Sequence, residues 1–111
     1  MKPFVGLVIS TLLPEEAAER GLESGVLITR VQGGGPADGK LLEGDVIVAI
    51  GVEETTSTED VIRIVQASTP GDSLTFTVLR GTQTMDVAVE VGAREVRTLR
   101  ITERLHSLAP G

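Results

Sequence analysis

The first residues of the chain are of the types that bind an anion through main-chain N–H groups. Pro3 has no N–H group and Gly6 has no side chain, so the backbone there can stay open. Successive N–H groups that point the same way hold an anion, such as the terminal carboxylate of a peptide. The segment from Lys2 to Ile9 is therefore a candidate anion site, with Lys2 adding positive potential. The alternative is an ordinary first strand with a frayed start.

A second segment, residues 34–41, nearly matches a phosphate-binding loop, but it differs at the positions that matter most. Leu41 stands where a hydroxyl would bind Mg²⁺, and Asp38 places negative charge where phosphates would lie. Pro36 also removes one N–H group from the segment. Nucleotide binding is therefore not predicted.

Residues for catalysis or for metal binding are almost absent. His106 is the only histidine, it falls in a segment that we interpret as a tail, and the chain has no cysteine. A catalytic triad needs an enclosed imidazole, and zinc needs several His or Cys ligands. Asp38, Glu43 and Asp45 lack the spacing of a calcium loop. The sequence predicts no catalytic residue, no metal site and no cofactor, and the chain is not expected to be an enzyme.

Length and composition are those of one small globular domain. The chain has 111 residues, 41% of them hydrophobic, and Phe4 and Phe76 are its only aromatic residues, so its core must be aliphatic. The net charge of −6 argues against binding to nucleic acid or to anionic membranes. No apolar run approaches the roughly 20 residues that span a bilayer, so no membrane insertion is expected.

The hydrophobic pattern predicts a mainly β fold with some helix. Alternation of apolar and polar residues is clearest after residue 73, where Leu74, Phe76 and Val78 share one face of a strand. We expect five or six short antiparallel strands in a partly open barrel or sandwich, with one main helix and one or two short helices. Strands are predicted at residues 4–11, 25–31, 46–50, 73–79 and 84–91, and helices at 14–21 and 58–67. Ser57 or Thr58 can cap the second helix, and the acidic residues Glu59 and Asp60 fall in its first turn.

The last residues differ in composition from the rest. Residues 93–111 contain four arginines, and Ile101, Leu105 and Leu108 fall at helical spacing. We predict one domain over residues 1–92, followed by an Arg-rich tail or linker over residues 93–111. A short docking helix is the alternative for this segment.

Several motifs in order resemble the PDZ domain family. The Phe-Val-Gly-Leu sequence of residues 4–7 resembles the carboxylate-binding loop of PDZ domains, most closely that of the HtrA (Deg) serine proteases. Gly35-Pro36-Ala37, Gly44-Asp45 and the helix start at Thr58 match the family in the same order. Because the loop stands at the start of the chain, the order is that of the bacterial, circularly permuted type. Phe4 replaces the commoner Tyr, and residues 36–41 are one residue shorter than is usual for HtrA.

The resemblance implies a module that binds the C-terminal ends of peptides. The peptide would add as an antiparallel strand beside the strand that follows Gly6, and the N–H groups of Val5, Gly6 and Leu7 would bind its terminal carboxylate, with Lys2 nearby. Thr58, Ile62 and Val65 lie at i, i+4 and i+7, so they share the helix face that would meet the peptide. An apolar last side chain would be preferred. The expected groove residues are Phe4, Val8, Ile9, Ser10, Thr58, Ile62 and Val65.

The same resemblance suggests partners and a location. The ligands would be C-terminal or extended peptides of unfolded or misfolded proteins, or of a regulatory protein. The protease domain of an HtrA-like parent chain is a further suggested partner, and periplasm or cell envelope is the expected location if that parentage holds. The alternative function is a structural or interdomain module whose groove is filled by its own parent protein.

Overall fold

A computed structural model of the chain describes residues 2–94. It contains two helices and eight strands among those residues. The strands are β1 (Lys2–Phe4), β2 (Leu7–Thr11), β3 (Val26–Val31), β4 (Val46–Ile50), β5 (Glu53–Glu54), β6 (Ser73–Arg80), β7 (Gln83–Glu90) and β8 (Gly92–Arg94); the helices are α1 (Pro14–Glu19) and α2 (Thr58–Ala67).

Antiparallel pairing organises the strands into two sheets. The larger sheet has the order β2-β3-β4-β6-β7, with β5 paired to β4, and the smaller sheet joins β1 to β8. The sheet does not close into a barrel, so β2 keeps one unpaired edge within the described part of the chain. The prediction of a mainly antiparallel, partly open β fold with helices is confirmed.

The hairpin of β6 and β7 shows how the sequence pattern becomes packing. Phe76 and Val78 are fully buried, while Thr75, which precedes Phe76, is exposed and Thr77, between the two, is partly exposed, as period-two alternation requires. Arg80 pairs with Gln83, which leaves a two-residue turn in which Gly81 has a φ of 62°. Glycine adopts that left-handed conformation without a steric penalty, so the turn fixes the register of the hairpin.

The main core lies between this sheet and α2, and it is aliphatic apart from Phe76. Val61 and Val65 of α2 pack into it from one side, and Val5 joins it from the segment between β1 and β2. A second, smaller cluster of Leu12, Ala17 and Val46 lies under α1. Leu7 and Ile9 of β2 pack against the main core, and Leu12, which follows β2, belongs to the second cluster.

Helix α2 begins where acidic residues and a capping residue predict it. Its N-cap residue, Ser57, makes no side-chain cap bond, but Asp60 in the first turn accepts hydrogen bonds from the N–H and the hydroxyl of Thr56, both at 2.9 Å. The hydrogen bonds from Thr56 lower the pKa of the Asp60 carboxyl below its usual value. The hydroxyl of Thr11 accepts the Thr58 N–H at 3.0 Å, which holds the start of α2 beside the end of β2.

Two parts of the strand pattern differ from the sequence prediction. The strand expected at residues 4–11 is interrupted after Phe4, because Gly6 has a φ of 78° that no extended strand contains. Strand β8 was not predicted, and it continues to Arg94, into the segment assigned to the tail. The remainder of that predicted tail, including His106, lies outside the described residues.

Residues 2–94 contain neither a membrane-spanning helix nor a metal-binding cluster. None of the helices there has the length and apolar character needed to cross a membrane. That part of the chain also contains no group of three or more His, Cys, Asp or Glu side chains arranged to hold a metal ion.

Candidate functional site

A groove of about 350 Å³ lies between β2 and α2. The segment Phe4–Leu7, called the 4–7 loop below, closes one end of it. No charged side chain is among the residues that line the groove, so any charge selectivity must come from the backbone. The lining residues are Pro3, Phe4, Val5, Gly6, Leu7, Val8, Ile9, Gln32, Val61, Ile62, Val65 and Gln66.

Two carbonyl groups of the 4–7 loop are fixed by the segment after β3. The Val5 carbonyl accepts a hydrogen bond from the Ala37 N–H at 3.1 Å, and the Gly6 carbonyl accepts one from the Gln32 N–H at 2.8 Å. In a planar trans peptide unit, the carbonyl and the following N–H point in opposite directions. The N–H groups of Gly6 and Leu7 therefore point away from residues 32–37.

The Val5 N–H is oriented by strand β8. Pro3 pairs with Ala93 and has no N–H, so the hydrogen-bonded pair beside it must be Phe4 with Gly92. The Phe4 carbonyl thus faces β8, and the Val5 N–H faces away from it. Among residues 2–94, no acceptor takes a hydrogen bond from the N–H of Val5 or Gly6.

Gly6 is required by the shape of this loop. Its φ of 78° disfavours any residue with a Cβ atom, and a Cβ there would lie 3.3 Å from Gln32 Cβ and 3.6 Å from Gly35 Cα. The left-handed conformation at one residue turns consecutive peptide units so that neighbouring N–H groups can serve one anion. The predicted role of glycine at this position therefore has a specific structural basis.

The free edge of β2 continues from the loop. Leu7 lies opposite Val31, but the adjacent bond from Gln32 to Gly6 makes this a pair without mutual hydrogen bonds. After an irregularity in the register, Ile9 lies opposite Ile28. The Ile28 N–H points to the other side of β3, where it donates to the carbonyl of Asp45, just before β4, at 2.8 Å. The backbone groups of Leu7 and Ile9 therefore point outward to the groove, where an added strand could pair with them.

Apolar side chains form the walls of the groove. Val61 and Val65 are buried at its base, and Ile62 is 46% exposed at its rim. Leu7 and Ile9, which alternate with exposed residues along β2, are half-buried on the opposite wall. The groove thus combines an apolar trough with outward N–H groups at one end.

The predicted site residues fall into two groups in the structure. Eight of them line the groove: Phe4, Val5, Gly6, Leu7, Val8, Ile9, Ile62 and Val65. Three do not. Lys2 is exposed on β1, Ser10 is exposed on β2, and Thr58 donates its N–H to the Thr11 hydroxyl at 3.0 Å where α2 begins.

Sequence reasoning missed four residues of the groove. Val61 is absent from the expected groove residues, and it belongs to both the core and the groove. Gln66 lies one position beyond the helix face that the spacing identified. Pro3 was noted in the sequence but was not assigned to the groove, and Gln32 reaches the groove through the bond from its N–H to the Gly6 carbonyl, for which the local sequence carries no signal.

A carboxylate lies outside the groove in a different environment. The Asp45 side chain accepts the Leu42 N–H at 2.9 Å and receives two bonds from Arg80, Nε to Oδ1 at 2.9 Å and Nη2 to Oδ2 at 2.7 Å. Asp45 is 1% exposed. Burial alone would raise the pKa of this carboxyl, but the bonds from Arg80 and Leu42 and the Arg80 charge outweigh it, so its pKa lies below the usual value.

Comparison with known proteins gives consistent results. The sequence profile of the family described as PDZ domain matches residues 15–91. A curated relative, the probable periplasmic serine endoprotease DegP-like of Hahella chejuensis (strain KCTC 2396), is 38% identical over 92 residues, which are 80% of this chain and 20% of the relative. The chain therefore spans about a fifth of that relative's length.

Solved structures with the same fold include proteins that hold peptides. The HtrA-type protease AlgW with a tripeptide matches with a TM-score of 0.76 and 32% identity, over 86% of this chain and 33% of AlgW. The HtrA3 PDZ domain bound to a phage-derived ligand (FGRWV) matches with a TM-score of 0.70 over 86% of this chain and 96% of that domain. At 23% identity, the latter likeness concerns the fold alone.

Proposed function

Since this chain belongs to the PDZ domain family, we propose that it binds the C-terminal ends of peptides by adding them as an antiparallel strand to β2. A PDZ domain is a non-catalytic module, so the role of the chain is recognition. The observation that carries the proposal is the set of outward N–H groups at Val5, Gly6 and Leu7, at the end of an apolar groove and beside an open strand edge.

The terminal carboxylate would lie against the 4–7 loop. Hydrogen bonds to a charged group contribute roughly 1.5–3 kcal/mol each, and burying one aliphatic side chain stabilises the complex by about as much. The cost of association offsets a large part of this, so we expect micromolar affinity, about −8 kcal/mol or weaker.

The open edge of β2 also sets which peptide side chains enter the groove. A carboxylate that bonds the Leu7 N–H places the last peptide residue opposite Leu7, and the third residue from the end opposite Ile9. Directly opposed residues of an antiparallel pair project to the same face, so both of these side chains face α2. No charged side chain lines the groove, and Thr58 at the beginning of α2 is also uncharged. Apolar peptide residues are therefore favoured at both positions.

The relatives support a setting for this recognition. AlgW and the DegP-like relative are named as proteases, and the latter as periplasmic. We infer that the module serves an HtrA-like serine protease of the periplasm or cell envelope. There it would capture C-termini of unfolded or misfolded proteins, or of a regulatory protein, and its protease domain would be a further partner.

Calorimetry with a matched pair of peptides tests the proposal. We expect an acetylated pentapeptide with Val last and Leu third from the end to bind with micromolar affinity. Its C-terminal amide should bind roughly 10- to 100-fold more weakly, because the amide loses charge-assisted bonds. Equal affinity of the two peptides would contradict carboxylate recognition. If no member of a random C-terminal peptide library bound the chain, the interdomain function would be favoured instead.

A further inference from the structure

Gly92 of β8 lies against the rings of Phe4 and Pro36, two residues next to the backbone groups of the 4–7 loop. A Cβ atom built on Gly92 would lie 2.7 Å from Pro36 Cγ and 3.0 Å from Phe4 Cε1. Contacts that short do not persist in folded proteins, so a side chain at residue 92 would displace one of these rings. Only glycine allows β8 to approach both.

Each of these rings belongs to the structure that orients the loop. Phe4 is the first residue of the 4–7 loop and lines the groove. Pro36 directly precedes Ala37, whose N–H holds the Val5 carbonyl at 3.1 Å. Displacement of either ring would therefore change the direction of the N–H groups of Val5 or Gly6.

Strand β8 itself is not free to withdraw from the loop. Val91, which precedes Gly92, is 2% exposed in the main core. Its N–H donates to the Asp72 carbonyl at 2.8 Å, and its carbonyl accepts from the Gly71 N–H at 2.8 Å. Because β8 is anchored at this point, added volume at residue 92 would be accommodated on the loop side.

We propose that Gly92 is a positioning residue for carboxylate recognition, acting through Phe4 and Pro36 on the 4–7 loop. The inference rests on the proposed peptide binding. It makes the strand at the C-terminal end of the described chain a part of the peptide site, although Gly92 does not line the groove. Linkage then requires that carboxylate binding in turn stabilises the pairing of β1 with β8.

The variant Gly92→Ala tests this role, with Gly25→Ala as a matched control. A Cβ on Gly25 would be equally crowded, 2.5 Å from Val46 Cγ1 and 3.4 Å from Leu12 Cδ1, but these atoms belong to the cluster under α1. The readout is the ratio of the dissociation constants for the amidated and free-acid pentapeptides, which a general loss of stability does not change.

We expect Gly92→Ala to reduce this ratio by about fivefold or more, and Gly25→Ala to leave it unchanged. The double variant Pro36→Ala/Gly92→Ala should recover part of the ratio, because it removes the atom nearest to the new Cβ. An unchanged ratio in Gly92→Ala, or an equal reduction in Gly25→Ala, would overturn the inference. If the unaltered protein itself does not distinguish the two peptides, the proposed function fails instead.

A measurement on the unaltered protein covers the case in which Gly92→Ala does not fold. The Gly92 N–H faces the Phe4 carbonyl in the β1–β8 pair. At equal saturation, the free-acid peptide should slow hydrogen exchange at the Gly92 amide by about threefold or more compared with the amidated peptide. Equal exchange rates with the two peptides would count against the inference.

Discussion

Two regions of this molecule present hydrogen-bond donors suited to a carboxylate, and they differ in whether the chain supplies that carboxylate. Around Asp45, the Leu42 N–H and the Arg80 guanidinium bind a side chain of the same protein. At the 4–7 loop, within the described chain, the N–H groups of Val5 and Gly6 have no acceptor. The comparison indicates that donors with an internal acceptor stabilise the fold, whereas donors without one are available for a ligand.

The two regions also differ in the origin of their positive potential. Asp45 is almost fully buried, and its pKa stays below the usual value because of the hydrogen bonds from Arg80 and Leu42 together with the formal charge of Arg80. The groove has no charged lining residue, so peptide dipoles alone would face the incoming carboxylate. Breaking the first region should therefore affect stability, and breaking the second should affect binding.

The largest effect on stability should follow Arg80→Ala. Removal of the guanidinium leaves the Asp45 carboxylate buried without its charged partner, which should lower the free energy of unfolding by about 3 kcal/mol. Urea denaturation measures this change, with Arg30→Ala, an exposed residue, as the control at about 0.5 kcal/mol or less. Peptide affinity of the folded variant should stay within about twofold of the original. A loss of peptide affinity comparable in free energy to the loss of stability would contradict the assignment of stability to the Asp45 region and of binding to the groove.

The largest effect on binding should follow Gly6→Ala. A Cβ at a φ of 78° strains the backbone by about 1–2 kcal/mol, and relaxation of that strain would turn the N–H groups. We expect peptide affinity to fall by about tenfold or more, as measured by calorimetry.

The matched control for Gly6→Ala is Gly81→Ala in the β6–β7 turn. Gly81 has a φ of 62° and no atom within 4 Å of a built Cβ, so it carries the same backbone penalty far from the groove. Its substitution should lower stability and leave peptide affinity unchanged. A similar binding loss in both variants would mean that the shape of the 4–7 loop is not the cause.

Acid should weaken the Asp45 region in a defined direction. The folded pKa of Asp45 lies below the unfolded value of about 3.9, so its contribution to stability is complete above that pH and is lost as pH falls through the folded pKa. Unfolding free energies of the unaltered protein and of Asp45→Asn, measured from pH 7 to pH 2, should converge at the acid end. A constant difference over the whole range would exclude ionisation of Asp45 as the cause.

The smallest effect is expected at the rim of the groove. Ile62 is 46% exposed, so Ile62→Ala should cost little stability but should remove part of the apolar wall. We expect peptide affinity to fall about three- to fivefold by fluorescence titration. Val52→Ala is the control, since Val52 is fully exposed in the turn between β4 and β5. Equal small effects in both variants would place Ile62 outside the peptide site.

Local pattern was sufficient for much of the fold and for part of the candidate site. Alternation placed Phe76 and Val78 on the buried face of β6, and acidic residues after Ser57 marked the start of α2. Gly6, directly after Phe4 and Val5, marked the 4–7 loop, because a glycine indicates a change of backbone direction at its own position. Peptide binding by these residues stays a prediction until it is measured.

What the sequence could not predict depends on contacts between distant segments. Arg80 reaches Asp45 across 35 positions, and neither residue carries a local sign of the other. Strand β8 forms only because β1 lies beside it, and Gln32 enters the groove through its bond to Gly6. Interactions of this kind follow from the assembled sheet rather than from periodicity in any one segment.

The most direct test of the central claim is an amide NMR titration with the free-acid and amidated pentapeptides. We predict that the free acid moves the amide proton signals of Val5, Gly6 and Leu7 downfield, because these N–H groups become donors to a charged acceptor. The amidated peptide should move these signals less at equal saturation, while the signal of Leu42, whose donor is already bonded to Asp45, stays in place. Free-acid binding that leaves the signals of Val5, Gly6 and Leu7 unchanged would contradict the account.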